Sequence, residues 1–217
     1  MILEVAKKEG FELDAGSAEL MAILGDGSFR DALGTLQKVL NFSVDAKGKK
    51  ISKINRADAE KITGAPKTVL VNDYISAIAE KNLENGIMTV RKAAAENLDM
   101  KLYAKLIIQK FRMAVILKYA PTCLRRQELE KDLPAQAGMA NDLGEEDLEF
   151  LKGLVKSDPE RKPSASNGAG KKGDMFNSFS LAILLEAYSE IDRAFVSELP
   201  LELALVKILE QNEKIVK

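Results

Sequence analysis

The chain has 217 residues, 46% hydrophobic and 30% charged, the make-up of a packed, soluble protein of one large or two small domains and not of a disordered one. Its 32 basic and 33 acidic residues nearly cancel, so no overall field draws it to DNA or to anionic lipid. With no histidine and one cysteine, Cys123, it lacks the commonest general base, the commonest metal ligand and any disulfide framework. No metal site is expected, Cys123 reads as an incidental thiol, and a reducing cytoplasm fits.

The N-terminal stretch MILEVAKKEGFELD is too short and too charged for a signal peptide, and no apolar run reaches the roughly 18 residues of a membrane span. It reads instead as an amphipathic helix entered midway, with Ile2, Val5 and Ala6 on one face, an abrupt start that suggests a piece of a longer chain. A second helix is expected from an N-cap at Asp14 through Ala18, Leu20, Met21 and Leu24.

The segment Gly25 to Leu40, GDGSFRDALGTLQKVL, is the most informative. Gly25 and Gly27 punctuate a turn, and Ser28 stands as N-cap with Asp31 three residues on, a capping-box spacing. Phe29, Leu33, Leu36 and Leu40 form an apolar stripe at helical spacing. Arg30 falls in the first turn, where the helix dipole disfavours a cation by roughly 0.3–1 kcal/mol and favours an anion. Two readings stand side by side: Arg30 pairs with Asp26 or Asp31 in solvent, or it awaits a phosphate or carboxylate.

Residues 42–51 suggest a small hairpin or an exposed loop, with solvated lysines. Asn55 caps a short helix over 56–62 that Gly64 closes, and the Gly-x-Pro at Gly64 and Pro66 is the expected domain boundary. Beyond it helices are expected over 69–79, 83–95, 100–120 and 145–155, with a weak one over 128–133. Residues 157–174, SDPERKPSASNGAGKKGD, read as a flexible loop. A long helix over 176–195 follows, then a last one with Pro200 at its first position and apolar residues around more than half its circumference. The chain is expected to be all-α.

Two segments carry a family resemblance. GDGSFRDALGTLQKVL resembles the sensor 2 segment of AAA+ clamp loaders, in which a Gly-Ser-x-Arg-Asp-Ala-Leu core opens a lid helix. SELPLELALVKIL resembles the C-terminal collar helix of the bacterial DNA polymerase III gamma/tau subunit family. VAKKEGFELD is similar to the lid helix that precedes the sensor segment, and residues 57–64 followed by a helical domain stand in the right order. The family often has aspartate where Gln37 stands. The sequence has no Gly-x4-Gly-Lys-Ser/Thr phosphate loop, no acidic Walker B run and no Ser-Arg-Cys segment.

The resemblance implies a three-helix AAA+ lid over 1–64, truncated at its N-terminus, and a helical collar domain over 65–217 that includes loop 157–174. It implies that Arg30 is the sensor 2 residue, reaching the γ-phosphate of ATP bound with Mg²⁺ in a core that this sequence lacks. The fragment itself then holds no cofactor, no catalytic residue and no metal. The parent is a cytoplasmic ATPase that loads the sliding clamp on primed DNA, and the collar joins it to other clamp-loader subunits in a hetero-pentamer. Phe111, Tyr188 and the 199–209 helix are expected in the collar's own core. The alternatives are a helical adaptor without nucleotide linkage, or the lid of another AAA+ protein.

Overall fold

The computed structural model describes residues 1–43, 53–120, 145–156 and 175–214. The expected hairpin over 42–51, the helix over 128–133, Cys123 and loop 157–174 lie wholly or mostly outside them. Among the described residues the chain is all-α apart from two strands of two residues each. It divides into two units, one of residues 1–67 with 124–148, the other of 68–123 with 149–217.

In the first unit α1 (Ile2–Lys8) leads into β1 (Glu12–Leu13), followed by α2 (Ala15–Leu24), α3 (Phe29–Phe42), β2 (Lys53–Ile54) and α4 (Arg56–Thr63). The strands pair in parallel, Glu12 opposite Lys53 and Leu13 opposite Ile54. This short ladder delivers Asp14 to the starts of two helices. One carboxylate oxygen of Asp14 accepts from Ser17 N at 2.6 Å and caps α2. The other accepts from Arg56 N, at 3.0 Å, in the first turn of α4. α4 also carries a complete capping box between Asn55 and Asp58, and Gly64 ends it at φ +75°, the left-handed conformation that favours glycine.

α2, α3 and α4 pack pairwise, with α1 against α2 and α3. Their core holds Ala6, Leu20, Met21, Ala32, Leu36, Val39, Leu40 and Ala59. Phe29, expected in that stripe, is 69% exposed. It shares the angular face of Leu36 and Leu40 but sits in the first turn, where helical side chains lean back past the helix end. Periodicity fixes a face; it does not say where the neighbouring helices stop.

An ion-pair cluster lies at one side of this core. The Arg56 guanidinium meets Glu19 of α2 at 3.1 Å, Glu60 of its own helix at 3.2 Å and Asp147 at 3.2 Å. All three carboxylate residues are buried, and the arginine stem lies across Gly16, where an added Cβ would stand 3.2 Å from Arg56 Cδ. Asp147 belongs to α8 (Glu145–Lys156), whose first residues, 145–148, fall in the first unit.

The second unit is a bundle of α5 (Thr68–Ala79), α6 (Leu83–Ala95), α7 (Met100–Tyr119), α9 (Ser178–Glu190) and α10 (Leu199–Lys214). α5 packs on α6 and α7, α9 on α7 and α10, and α10 on α6. Tyr74 and Tyr103 lie at its centre, ring centroids 6.4 Å apart and edge to face. Tyr74 OH donates to Leu201 O at 3.0 Å and Tyr103 OH to Leu70 O at 2.9 Å, so each buried hydroxyl has its acceptor. Phe111 is buried as expected and packs on Phe176 at 5.2 Å, whereas Tyr188 is half-buried.

Several expected details shift here. Val69 and Met88, apolar residues of the helices expected over 69–79 and 83–95, are 63% and 64% exposed. The buried side of α6 is made instead of Gly86, Thr89, Val90 and Ala93, small residues that let α10 approach until a Cβ at Gly86 would overlap Leu205. The helix expected over 176–195 ends at Glu190 and passes into a 3-10 turn, Ile191–Arg193. In α10 Leu199 precedes Pro200 inside the helix, so the proline takes the second position, where its missing N–H has no intrahelical partner to lose.

Candidate functional site

The turn before α3 sets the direction of Arg30. Asp26 and Gly27 both have positive φ, +47° and +82°, and Ser28 N donates back to Gly25 O at 2.7 Å. An Asp-Gly pair suits this mirror-image turn, because aspartate tolerates the left-handed region and glycine has no Cβ to oppose it. Gly25 is required for another reason: an added Cβ there would come within 2.7 Å of Ala32 Cβ. The turn is therefore pressed against α3. Ser28 Oγ then accepts from Asp31 N at 3.3 Å, and the helix starts.

Arg30 projects from this first turn into solvent. It lines a shallow surface hollow with Asp31, Leu33, Gly34, Thr35, Gln37 and Lys38, all on α3. Of the two readings open in the sequence, the local ion pair is not the one adopted: among the described residues Arg30 makes no hydrogen bond or ion pair, with Asp26 and Asp31 included. A free guanidinium beside the unsatisfied N–H groups of a helix start offers five fixed donors, in an orientation suited to phosphate or carboxylate oxygens. Thr35 Oγ1 is engaged with Asp31 O at 3.0 Å.

Nothing else among the described residues forms a chemical centre. No group of three or more His, Cys, Asp and Glu side chains stands ready to hold a metal ion, and no helix is long and apolar enough to cross a membrane. The second unit exposes apolar side chains about the start of α10: Phe195 fully, Val196 at 39%, Leu199 at 42% and Leu203 at 47%. Leu199 and Leu203, four residues apart, share one side of α10, while Leu201, Ala204, Leu205 and Ile208 are buried. The sequence expectation placed the whole 199–209 helix in the core; the structure divides it into a buried and an exposed side. What the sequence reading missed was the Arg56 cluster: Glu60 stands four residues on in the same helix, but Glu19 and Asp147 lie 37 and 91 residues away and obey no local period.

No family model matches the chain. Over 144 residues it is 28% identical to DNA polymerase III subunit tau of Bacillus subtilis (strain 168), a match that takes in 62% of this chain and 24% of that protein. The chain thus spans about a quarter of the length of that relative. Among solved structures it is similar, distantly, to the Bacillus subtilis DNA clamp loader delta protein YqeN, at 16% identity and a TM-score of 0.43, over 96% of this chain and 54% of that one. The relationship that the segments around Arg30 and Leu199 suggested, to the gamma/tau subunit of DNA polymerase III, is met by the similarity to subunit tau.

Proposed function

We infer that this chain is the lid and collar part of a DNA polymerase III clamp-loader subunit. The observation that carries the reading is the similarity to subunit tau. The unpaired Arg30 at the capped start of α3 supports it. In this reading residues 1–64 are the lid and 65–217 the collar. Arg30 is the sensor 2 residue: it holds γ-phosphate oxygens of ATP, bound with Mg²⁺ in a nucleotide-binding core supplied by the parent protein. Arg30 costs the isolated helix a little dipole energy and gains a strong charge-assisted contact only when the phosphate is present, which is the property a nucleotide sensor needs.

The exposed side of α10, with Leu199 and Leu203, is the surface through which the collar meets another clamp-loader subunit in a hetero-pentamer. The parent, so assembled, loads the sliding clamp on primed DNA in the cytoplasm.

The reading is tested by mixing the purified chain with the other clamp-loader subunits of its own organism and measuring assembly by sedimentation. A stable heteromeric complex is expected, weakened at least tenfold by Leu199→Glu with Leu203→Glu. A chain that sediments alone at micromolar concentrations contradicts it.

A further inference from the structure

We propose that the outer side of α3 lies along the nucleotide, with Gly34 leaving room for its sugar and Lys38 holding the nucleoside end while Arg30 holds the terminal phosphate. The inference rests on the reading of Arg30 given above and adds two residues to it. Arg30, Gly34 and Lys38 stand at spacings of four, in one line along the helix, and all three border the same surface hollow. Gly34 is the anomaly in this line. It is exposed in the middle of α3, where glycine is among the poorest helix formers. It is not among the residues with positive φ, so no turn requires it, and a Cβ added there would meet nothing within 4 Å. Neither its backbone nor a neighbour among the described residues accounts for a glycine here.

Open space alone would not decide its use, since Gly153 of α8 has as much. What sets Gly34 apart is its place between two exposed cations, Arg30 and Lys38, neither of whose side chains has an ion pair or hydrogen bond among the described residues. With Asp31 as the only acid, the border of the hollow is net positive and suits a polyanion. The spacing narrows the choice. From Arg30 to Lys38 the helix rises about 12 Å, the reach of an extended nucleoside triphosphate from terminal phosphate to base. Inorganic phosphate or pyrophosphate at Arg30 would not reach Lys38. The helix start favours the phosphate end, so the nucleoside lies toward Lys38, whose ammonium can donate to a sugar hydroxyl or a ring nitrogen. Lys38 then serves a part of the ligand that ATP and ADP share, whereas Arg30 serves the part that only ATP has.

Affinities for ATP and ADP, measured by calorimetry on the protein that carries both the nucleotide-binding core and this chain, test it. Arg30→Ala should weaken ATP roughly tenfold or more and leave ADP nearly unchanged. Lys38→Gln should weaken both nucleotides alike, roughly three- to tenfold, and Gly34→Leu both by roughly tenfold or more. In this chain alone Lys38→Gln should leave the melting temperature where it is, and Gly34→Leu should raise it. If Arg30→Ala behaves as expected while either other variant binds both nucleotides like the parent, the proposal falls and the role of Arg30 stands. A loss confined to ATP in Lys38→Gln overturns it equally. If Arg30→Ala changes nothing, or the parent protein binds no ATP, the reading beneath the proposal falls with it. A lowered melting temperature in Gly34→Leu also overturns the proposal, because the space at Gly34 would then belong to the fold.

Discussion

Asp14 supports two helices with one side chain, because its two oxygens reach Ser17 N and Arg56 N on different elements. Removing a single N-cap oxygen typically destabilises by about 1 kcal/mol, up to about 2. Asp14→Ala withdraws two at once, so a loss of about 2–3 kcal/mol is expected in urea unfolding, more than for Ser28→Ala, whose oxygen serves Asp31 N alone at 3.3 Å. Equal losses from the two substitutions would show that the second oxygen contributes nothing. Tyr74 and Tyr103 are the other residues on which much depends. Burial pushes both phenols well above the ordinary tyrosine range, with each hydroxyl donating to a backbone carbonyl. The sign of the pH effect follows from proton counts. Above about pH 10 the unfolded chain releases these protons and the folded chain keeps them, so stability is full below that pH and falls as pH rises, by up to about 1.4 kcal/mol per unit for each tyrosine. Lys101, raised by its hydrogen bond to Asp192, acts in the same direction. Tyr74→Phe should flatten the decline measured by denaturant titration between pH 10 and 11.5. A slope unchanged by that substitution would count against the assignment.

At the scale of elements, the approach of α6 to α10 at Gly86 reverses what helix propensity recommends. Alanine is favoured over glycine within a helix by about 1 kcal/mol. At Gly86, however, the added methyl meets Leu205, and overpacking of this kind costs typically 1–3 kcal/mol. Gly86→Ala should lower the melting temperature; a stabilised variant would mean that the two helices have room between them. The turns on either side of α6 make the opposite case. Lys81 and Asn97 adopt positive φ, +58° and +53°, and Asn82 N and Leu98 N reach back to Ala77 O and Ala93 O in the same pattern. Glycine suits that position better than lysine, so Lys81→Gly should raise stability by about 0.5–1 kcal/mol in thermal unfolding. These turns also show what the sequence made legible. Helix starts were readable at Asp14, Ser28 and Asn55, where a side chain caps the backbone locally and the partner is three residues away. The C-terminal side of the 176–195 segment was not, since nothing in its apolar pattern signals the change to a 3-10 turn at Ile191. Nor was the outward placing of Phe29, Val69 and Met88, which depends on where neighbouring helices end. Arg30 was legible as an anomaly, an arginine where the dipole disfavours one. Arg56 was legible only as the first residue of a helix, because two of its partners, Glu19 and Asp147, are brought to it by the tertiary fold.

For the molecule as a whole, the near balance of 32 basic and 33 acidic residues leaves its work to local features. Two of these carry the proposed function: Arg30, unpaired among the described residues, and the apolar side of α10. One guanidinium and a helix start cannot hold a triphosphate tightly without the lysine and Mg²⁺ of a phosphate loop. The chain alone should therefore show no micromolar affinity for ATP by calorimetry, and a micromolar affinity would require a nucleotide site of another kind. The most direct measurement is ATP-dependent clamp loading by the protein that carries both the nucleotide-binding core and this chain, with and without Arg30→Ala. Loss of one charge-assisted phosphate contact, worth roughly 1.5–3 kcal/mol, should reduce loading about ten- to hundredfold. The first unit should keep its melting temperature, since Ala32, Leu36, Val39 and Leu40 carry its packing and removing a cation from a helix start is neutral or slightly favourable. Undiminished loading and ATP affinity in Arg30→Ala, with the first unit folded, would contradict the account.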